Sequence, residues 1–170
     1  VDQGEVYLLQ GKYQEALAEL APHVKKGDAK ACFFTSLIKL FSEKPEQEEG
    51  LQLLQYAANK GFNPALDTLA GLYLHGEFVP QDRFQALRYY EMAARRGYGP
   101  SQFNCGIMYK NGDKIPQDLE SAFVYLSMAA LNKKDLDELT IDAAHYRDEV
   151  AKLMNKEQYQ RAIKRMNQVS

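Results

Sequence analysis

Sliding the sequence along itself by 36 residues superposes Pro64 on Pro100, Tyr73 on Tyr109, Gly76 on Gly112, and Pro80-Gln81-Asp82 on Pro116-Gln117-Asp118. Ala86 falls on Ala122, Tyr89 on Tyr125 and Gly61 on Gly97, and the doublets Ala57-Ala58, Ala93-Ala94 and Ala129-Ala130 share the register. A fixed period of this length marks an array of small units, none able to bury its apolar face alone. The earlier copies align at an offset of 34, Gly27 on Gly61 and Ala16, Leu17 and Leu20 on Gly50, Leu51 and Leu54, which leaves two residues missing near Ser42 to Pro45. About three and a half units therefore lie between residues 3 and 132, and the residues after Asn132 do not repeat.

Each unit reads as two helices joined by a loop of about six residues. In the clearest copy helix A runs from about Asn63, as N-cap, with Pro64 at the first helical position where its missing N–H costs nothing, to His75, and Gly76 stops it. Asp82 then caps helix B, Gln85 reaches back as in a capping box, and the helix ends near Arg96 with Gly97 suited to a left-handed turn. The next copy repeats the devices with Gly99-Pro100, Gly112 and Asp118. Apolar residues recur at a helical period, and no segment alternates like a strand. Ala65, Ala70, Ala86 and Ala93, with Ser101, Gly106, Ala122 and Ala129 in the following copy, form a small-residue side for close helix approach, while Tyr73 and Tyr109 fill wider gaps.

The expected fold class is all-α: a one-dimensional array of helix-turn-helix repeats with C-terminal capping helices. Residues 1–170 are read as a single repeat domain, with 1–27 a partial repeat, 28–61, 62–97 and 98–132 repeats, and 133–170 the cap. Leu136, Leu139, Ala143, Tyr146, Val150 and Leu153 give one capping helix its stripe, from about Asp135 to Met154; Asn155 with Gln158 starts a second, faced by Tyr159, Ala162, Ile163 and Met166.

Charge and composition narrow the function. The 21 Lys plus Arg and 23 Asp plus Glu give a formal net charge of −2, which speaks against a polybasic nucleic-acid or membrane-surface protein. No run approaches the ~18 apolar residues of a spanning helix. Cys32 and Cys105 sit in apolar stretches and read as buried packing, not as a disulfide framework. Val1 is either a fragment boundary or a mature terminus left by export.

Catalytic and cofactor motifs are absent from the sequence. His23, His75 and His145 have no second histidine or cysteine at ligand spacing, Ser36, Ser101 and Ser127 lie outside any nucleophile elbow, and no glycine run would cradle phosphate. No cofactor and no metal are expected. Asp82 and Asp118 read as caps, the basic last helix (Lys152, Lys156, Arg161, Lys164, Arg165) as a solvated face, and Glu43, Glu46, Glu48 and Glu49 as an acidic loop and helix start. An enzyme would require His75 or His145 beside a carboxylate in a cleft.

Ala65 through Leu69-Ala70 to Tyr73, then Gly76, Val79-Pro80-Gln81-Asp82, Ala86, Tyr89-Tyr90, Ala93-Ala94 and Gly97, resembles the Sel1-like repeat of the tetratricopeptide-like superfamily. Three departures stand out: the first copies lack the loop glycine and the Val-Pro-Gln-Asp string, Cys105 replaces the motif Leu, and Leu131-Asn132 stands where a terminal Gly would fall. The resemblance implies a right-handed α-solenoid that serves as a non-enzymatic scaffold or adaptor and binds a protein or peptide segment, in the bacterial periplasm or secreted, with a cytoplasmic setting as the other option. An immunity protein that blocks a toxin is the alternative it leaves. It implies neither a nucleic-acid partner nor an integral membrane segment, and an exposed solenoid end would support dimerisation.

In that superfamily helix A lines the concave groove. The register then names Asp67, Leu74 and His75 in one unit, Phe103, Ile107 and Lys110 in the next, and Phe33, Leu37 and Phe41 in the preceding one. The set is apolar for a solvent-facing surface. Two readings stay open: these side chains anchor a partner segment, or they pack against each other and the cap.

Overall fold

The computed structural model describes residues 2–42, 45–132 and 138–169, the side chain of Asp2 excepted, so Val1, Glu43, Asp135 and Leu136 of the sequence reading lie outside the described residues. Among the described residues there are ten helices and no strand. They fall into two compact units, Val1–Pro80 and Gln81–Ser170.

The first unit holds α1 (Asp2–Leu9), α2 (Tyr13–Lys25), α3 (Ala29–Phe41), α4 (Gln47–Asn59) and α5 (Asn63–His75), each packed on the next. Asp28 caps α3 by accepting from the Ala31 N–H at 2.7 Å, and Glu48 and Glu49 place negative charge in the first turn of α4. Ala16 and Leu20 of α2 meet Ala31 and Ile38 of α3 in a buried cluster, with Tyr7, Leu8, Leu17, Val24 and Phe34 around it. Helix α5 starts one residue earlier than the sequence suggests: Phe62, not Asn63, is the N-cap, and Pro64 lies in the first turn. Gly76 ends it at φ +74°, as expected for a left-handed stop.

The second unit holds α6 (Arg83–Arg95), α7 (Gly99–Asn111), α8 (Leu119–Ala130), α9 (Glu138–Leu153) and α10 (Lys156–Val169). The Asp82 carboxylate accepts from the Gln85 N–H at 3.0 Å, and Asp118 accepts from the Ser121 N–H at 2.9 Å, so both aspartates cap as read. At α10 the capping box is complete: Asn155 N–H donates to Gln158 Oε1 and Gln158 N–H to Asn155 Oδ1, each at 2.9 Å.

Small residues set the helix spacing. Ala65, Ala70, Ala86, Ala93, Ser101, Ala122 and Ala129 are fully buried. A Cβ built on Gly106 of α7 would stand 2.5 Å from Leu126 Cγ of α8, closer than two non-bonded carbons tolerate. On the aromatic side Tyr109 and Tyr125 stack at 5.9 Å, and both hydroxyls donate to Glu91 Oε1, at 2.8 and 3.1 Å. Burial, with the Glu91 carboxylate beside them, pushes both phenols above their ordinary range.

Helices α9 and α10 both pack on α8. Val150 and Ala162 join Ala122, Phe123 and Leu126 in one buried cluster, so the non-repeating segment closes the last repeat with apolar residues of its own. No helix among the described residues is long and apolar enough to cross a membrane.

Candidate functional site

The register groups the candidate residues by helix, and the two units treat them differently. In the second unit Phe103, Ile107 and Lys110 follow one another along α7 at helical spacing, which places them on one face. That face is taken by α9. The Phe103 ring meets Tyr146 edge-on at 5.8 Å, Ile107 packs against the cluster that contains Val150, and Lys110 Nζ lies 2.7 Å from Glu149 Oε2 and 4.5 Å from the Tyr146 ring centroid. The hydrogen bond from Lys110, then its positive charge and that of Lys152, hold the Glu149 carboxyl below the usual glutamate range. Of the two readings the register left open for these residues, contact with the cap is the arrangement seen on α7.

Phe33 of α3 is withdrawn from the face altogether. It is only 7% exposed, its ring set edge-on to Phe62 at 5.3 Å and against Phe34 at 5.4 Å. The register placed it at a solvent-facing position, but its ring packs against Phe34 and against Phe62, the residue that caps α5, and burying it among these partly covered rings outweighs presenting it. Leu37, a turn further on, is half-buried, and Phe41 at the end of α3 is 55% exposed.

The ring of Phe41 meets that of Phe78, in the loop after α5, with centroids 5.4 Å apart and rings at 71°. Phe78 holds φ at +59°, a left-handed conformation that side chains other than glycine adopt at a cost of about 1 kcal/mol. Lys114, its counterpart one repeat on, has φ +58°. The loop geometry therefore belongs to the repeat, whereas the aromatic ring that it delivers onto Phe41 belongs to this unit. On α5 itself Asp67 and Leu74 are half-buried and His75 is exposed.

Leu37 and Phe41 line a cavity of about 270 Å³ with Ile38, Leu8 of α1 and Tyr13 of α2. Leu8 and Tyr13 were not among the residues the register picked out. A signal for Tyr13 did exist: its counterparts Gln47 and Arg83 in the middle copies are polar, and Leu119 in the last is apolar. Leu119 packs against the cluster that α10 completes, while Tyr13 stands 48% exposed. A second cavity, of about 570 Å³, shares Tyr13, Ile38 and Ser42 with the first and runs on past Lys39 to Glu46. Lys39 Nζ bridges Glu46 and Glu49 at 2.9 Å each; burial opposes its charge, but these hydrogen bonds outweigh burial and raise its pKa.

His145 Nε2 lies 3.4 Å from Glu149 Oε1, but the imidazole is 71% exposed on the surface of α9 and the carboxylate is already bound by Lys110, so the pair sits in no cleft. Among the described residues no group of three or more His, Cys, Asp or Glu side chains could hold a metal ion.

Residues 29–62, 68–98 and 99–133 each match the family model described as Sel1 repeat, together more than half of the chain. The chain belongs to the Sel1 repeat family. Proteins of this family are in general protein–protein interaction scaffolds, and their fold is typically non-enzymatic. Among solved structures, a Sel1 repeat protein from Oxalobacter formigenes is 27% identical, with a TM-score of 0.67 over 78% of this chain and 97% of that one. A second, c5321, is described as a protective antigen present in uropathogenic Escherichia coli strains displaying an SLR fold. It is 17% identical with a TM-score of 0.63, and the match covers 96% of this Sel1 repeat chain but 43% of that protein, so it bears on the fold alone. No curated protein matches the chain by sequence.

Proposed function

We propose that this Sel1 repeat chain is a non-enzymatic adaptor that takes a segment of a partner protein on the helix-A face of its first unit. The observation that carries the reading is the contrast between two helices of one register. Phe103, Ile107 and Lys110 on α7 are engaged by the chain's own α9, whereas Leu37 and Phe41 on α3 line an open cavity with Tyr13. A helix-A face that is covered where the chain can cover it, and apolar where it does not, is suited to a partner's apolar side chains. Asp67, Leu74 and His75 of α5 belong to the proposed face as polar and aliphatic flank; Phe103, Ile107 and Lys110 serve the fold.

A setting in the bacterial envelope or outside the cell is part of the reading: two similar structures are of bacterial origin, and cell fractionation tests the compartment. The binding test compares wild-type chain with a Leu37→Ser, Phe41→Ser variant shown by circular dichroism to be folded, both used as bait on source-cell fractions. A partner captured by the wild type and lost by the variant supports the face; the same partners on both baits overturn it. A single tight one-to-one partner that is itself a toxin would instead make this an immunity protein.

A further inference from the structure

The groove of the first unit changes character along its length. Its apolar end is formed by Leu8, Tyr13, Leu37, Ile38 and Phe41, and its continuation reaches Glu46 at the start of α4. A third cavity, of about 430 Å³, opens from Glu46 along Glu48 and Glu49. Three exposed carboxylates thus line this end, and two of them, Glu46 and Glu49, share one ammonium, that of Lys39. The surrounding unit carries the same sign: residues 1–80 contain seven Lys and no Arg against eleven Asp plus Glu, a formal −4, while residues 81–170 carry a formal +2.

We infer that the partner segment is a basic amphipathic one: a bulky apolar side chain seats between Tyr13, Leu37 and Phe41, and Lys or Arg residues beside it meet Glu46, Glu48 and Glu49. The inference rests on the adaptor reading and adds its charge class. The chain itself shows how such a face is satisfied, since α9 sets an aromatic ring on Phe103 and a charge opposite in sign on Lys110. On the first unit the apolar requirement is the same and the charge is reversed. Attraction between the acidic rim and a basic segment speeds encounter and disfavours acidic competitors, while the apolar seat sets residence time.

The probes are three fluorescein-labelled synthetic peptides: an amphipathic helix with a Leu/Phe stripe and a Lys/Arg polar face, the same stripe with a Glu polar face, and a scramble of the first. Anisotropy titrations against the whole chain read binding. The basic amphipath binds, about tenfold more tightly than the acidic one, and weakens as salt rises. Glu48→Gln, which leaves both partners of Lys39 in place, weakens it several-fold; Glu46→Gln, Glu48→Gln, Glu49→Gln together bring the two amphipaths level; Leu37→Ser, Phe41→Ser abolishes binding. Equal binding of the acidic amphipath to wild-type chain, lost in the Leu37/Phe41 variant, overturns the charge class and leaves the adaptor face standing. No binding that depends on Leu37 and Phe41 overturns both, and equal binding of the scramble reduces the effect to general charge attraction. Sedimentation showing Phe41-dependent self-association would make a second copy the occupant and sink the inference.

Discussion

Lys110 Nζ sits 2.7 Å from Glu149 Oε2 and 4.5 Å from the ring centroid of Tyr146, so one ammonium fixes two residues, three apart, on the helix that covers α7. This contact sets an expected binding residue against the chain's own α9. Because the pairing lowers the folded-state pKa of Glu149, its stabilisation is fully present above the ordinary glutamate range and is lost as pH falls through the depressed value. Carboxyl NMR titration of the wild type places Glu149 below that range, and Lys110→Ala moves it back up; an unchanged titration in Lys110→Ala would remove the contact from solution.

Phe103→Ala probes the same geometry. The ring packs on Tyr146 and on the cluster holding Val150 and Ala162, so truncation loosens α9 rather than a partner. A partly buried phenylalanine removed from such a contact costs about 1–3 kcal/mol. Chemical denaturation shows a lowered midpoint for Phe103→Ala and a much smaller change for Phe41→Ala, whose ring is 55% exposed. Equal losses at the two positions would contradict the division between covered and open faces.

Gly106 tests how tightly α7 and α8 are joined. An added methyl would meet Leu126 Cγ at 2.5 Å and the Leu126 backbone nitrogen at 3.2 Å, so the side chain must rotate and α8 itself must yield. Overpacking of this kind costs about 1–3 kcal/mol, against about 1 kcal/mol gained from replacing a helical glycine by alanine. Gly106→Ala is therefore destabilised overall and melts several degrees lower; a raised melting temperature would show that the helices separate freely.

Much of this was legible because the repeat reuses the same local chemistry. Asp82, Asp118, Gly76, Gly112, Asn155 and Gln158 act through bonds to neighbours three or four positions away, and such bonds are fixed by local sequence alone. The helix-A face was legible only as a register. Whether Phe33 is buried depends on Phe62, 29 positions on, and whether Phe103 is covered depends on Tyr146, 43 on; neither partner belongs to the repeat element that carries the candidate. Tyr13 was missed because the first copy is too divergent for its one anomalous position to stand out.

The Asp118 cap gives a last, quantitative prediction. Its carboxylate accepts from the Ser121 N–H at 2.9 Å and from the Ser121 hydroxyl at 2.5 Å. Burial works against the charged form, yet the Ser121 hydroxyl, the Ser121 N–H and the charge of Arg165 outweigh it and lower the pKa. Asp118→Ala removes the partner of an N–H at the start of α8, the helix on which both α9 and α10 rest, and costs about 1–2 kcal/mol. Asp118→Asn keeps an acceptor and costs less at neutral pH. Because the native carboxyl is shifted down, the advantage of Asp over Asn is present above the ordinary aspartate range and shrinks as pH falls through the depressed value. Denaturant titrations of the three chains at neutral and acidic pH measure it; a gap between Asp and Asn that stays constant across that range would assign the cap's worth to hydrogen bonding alone, with no contribution from its charge.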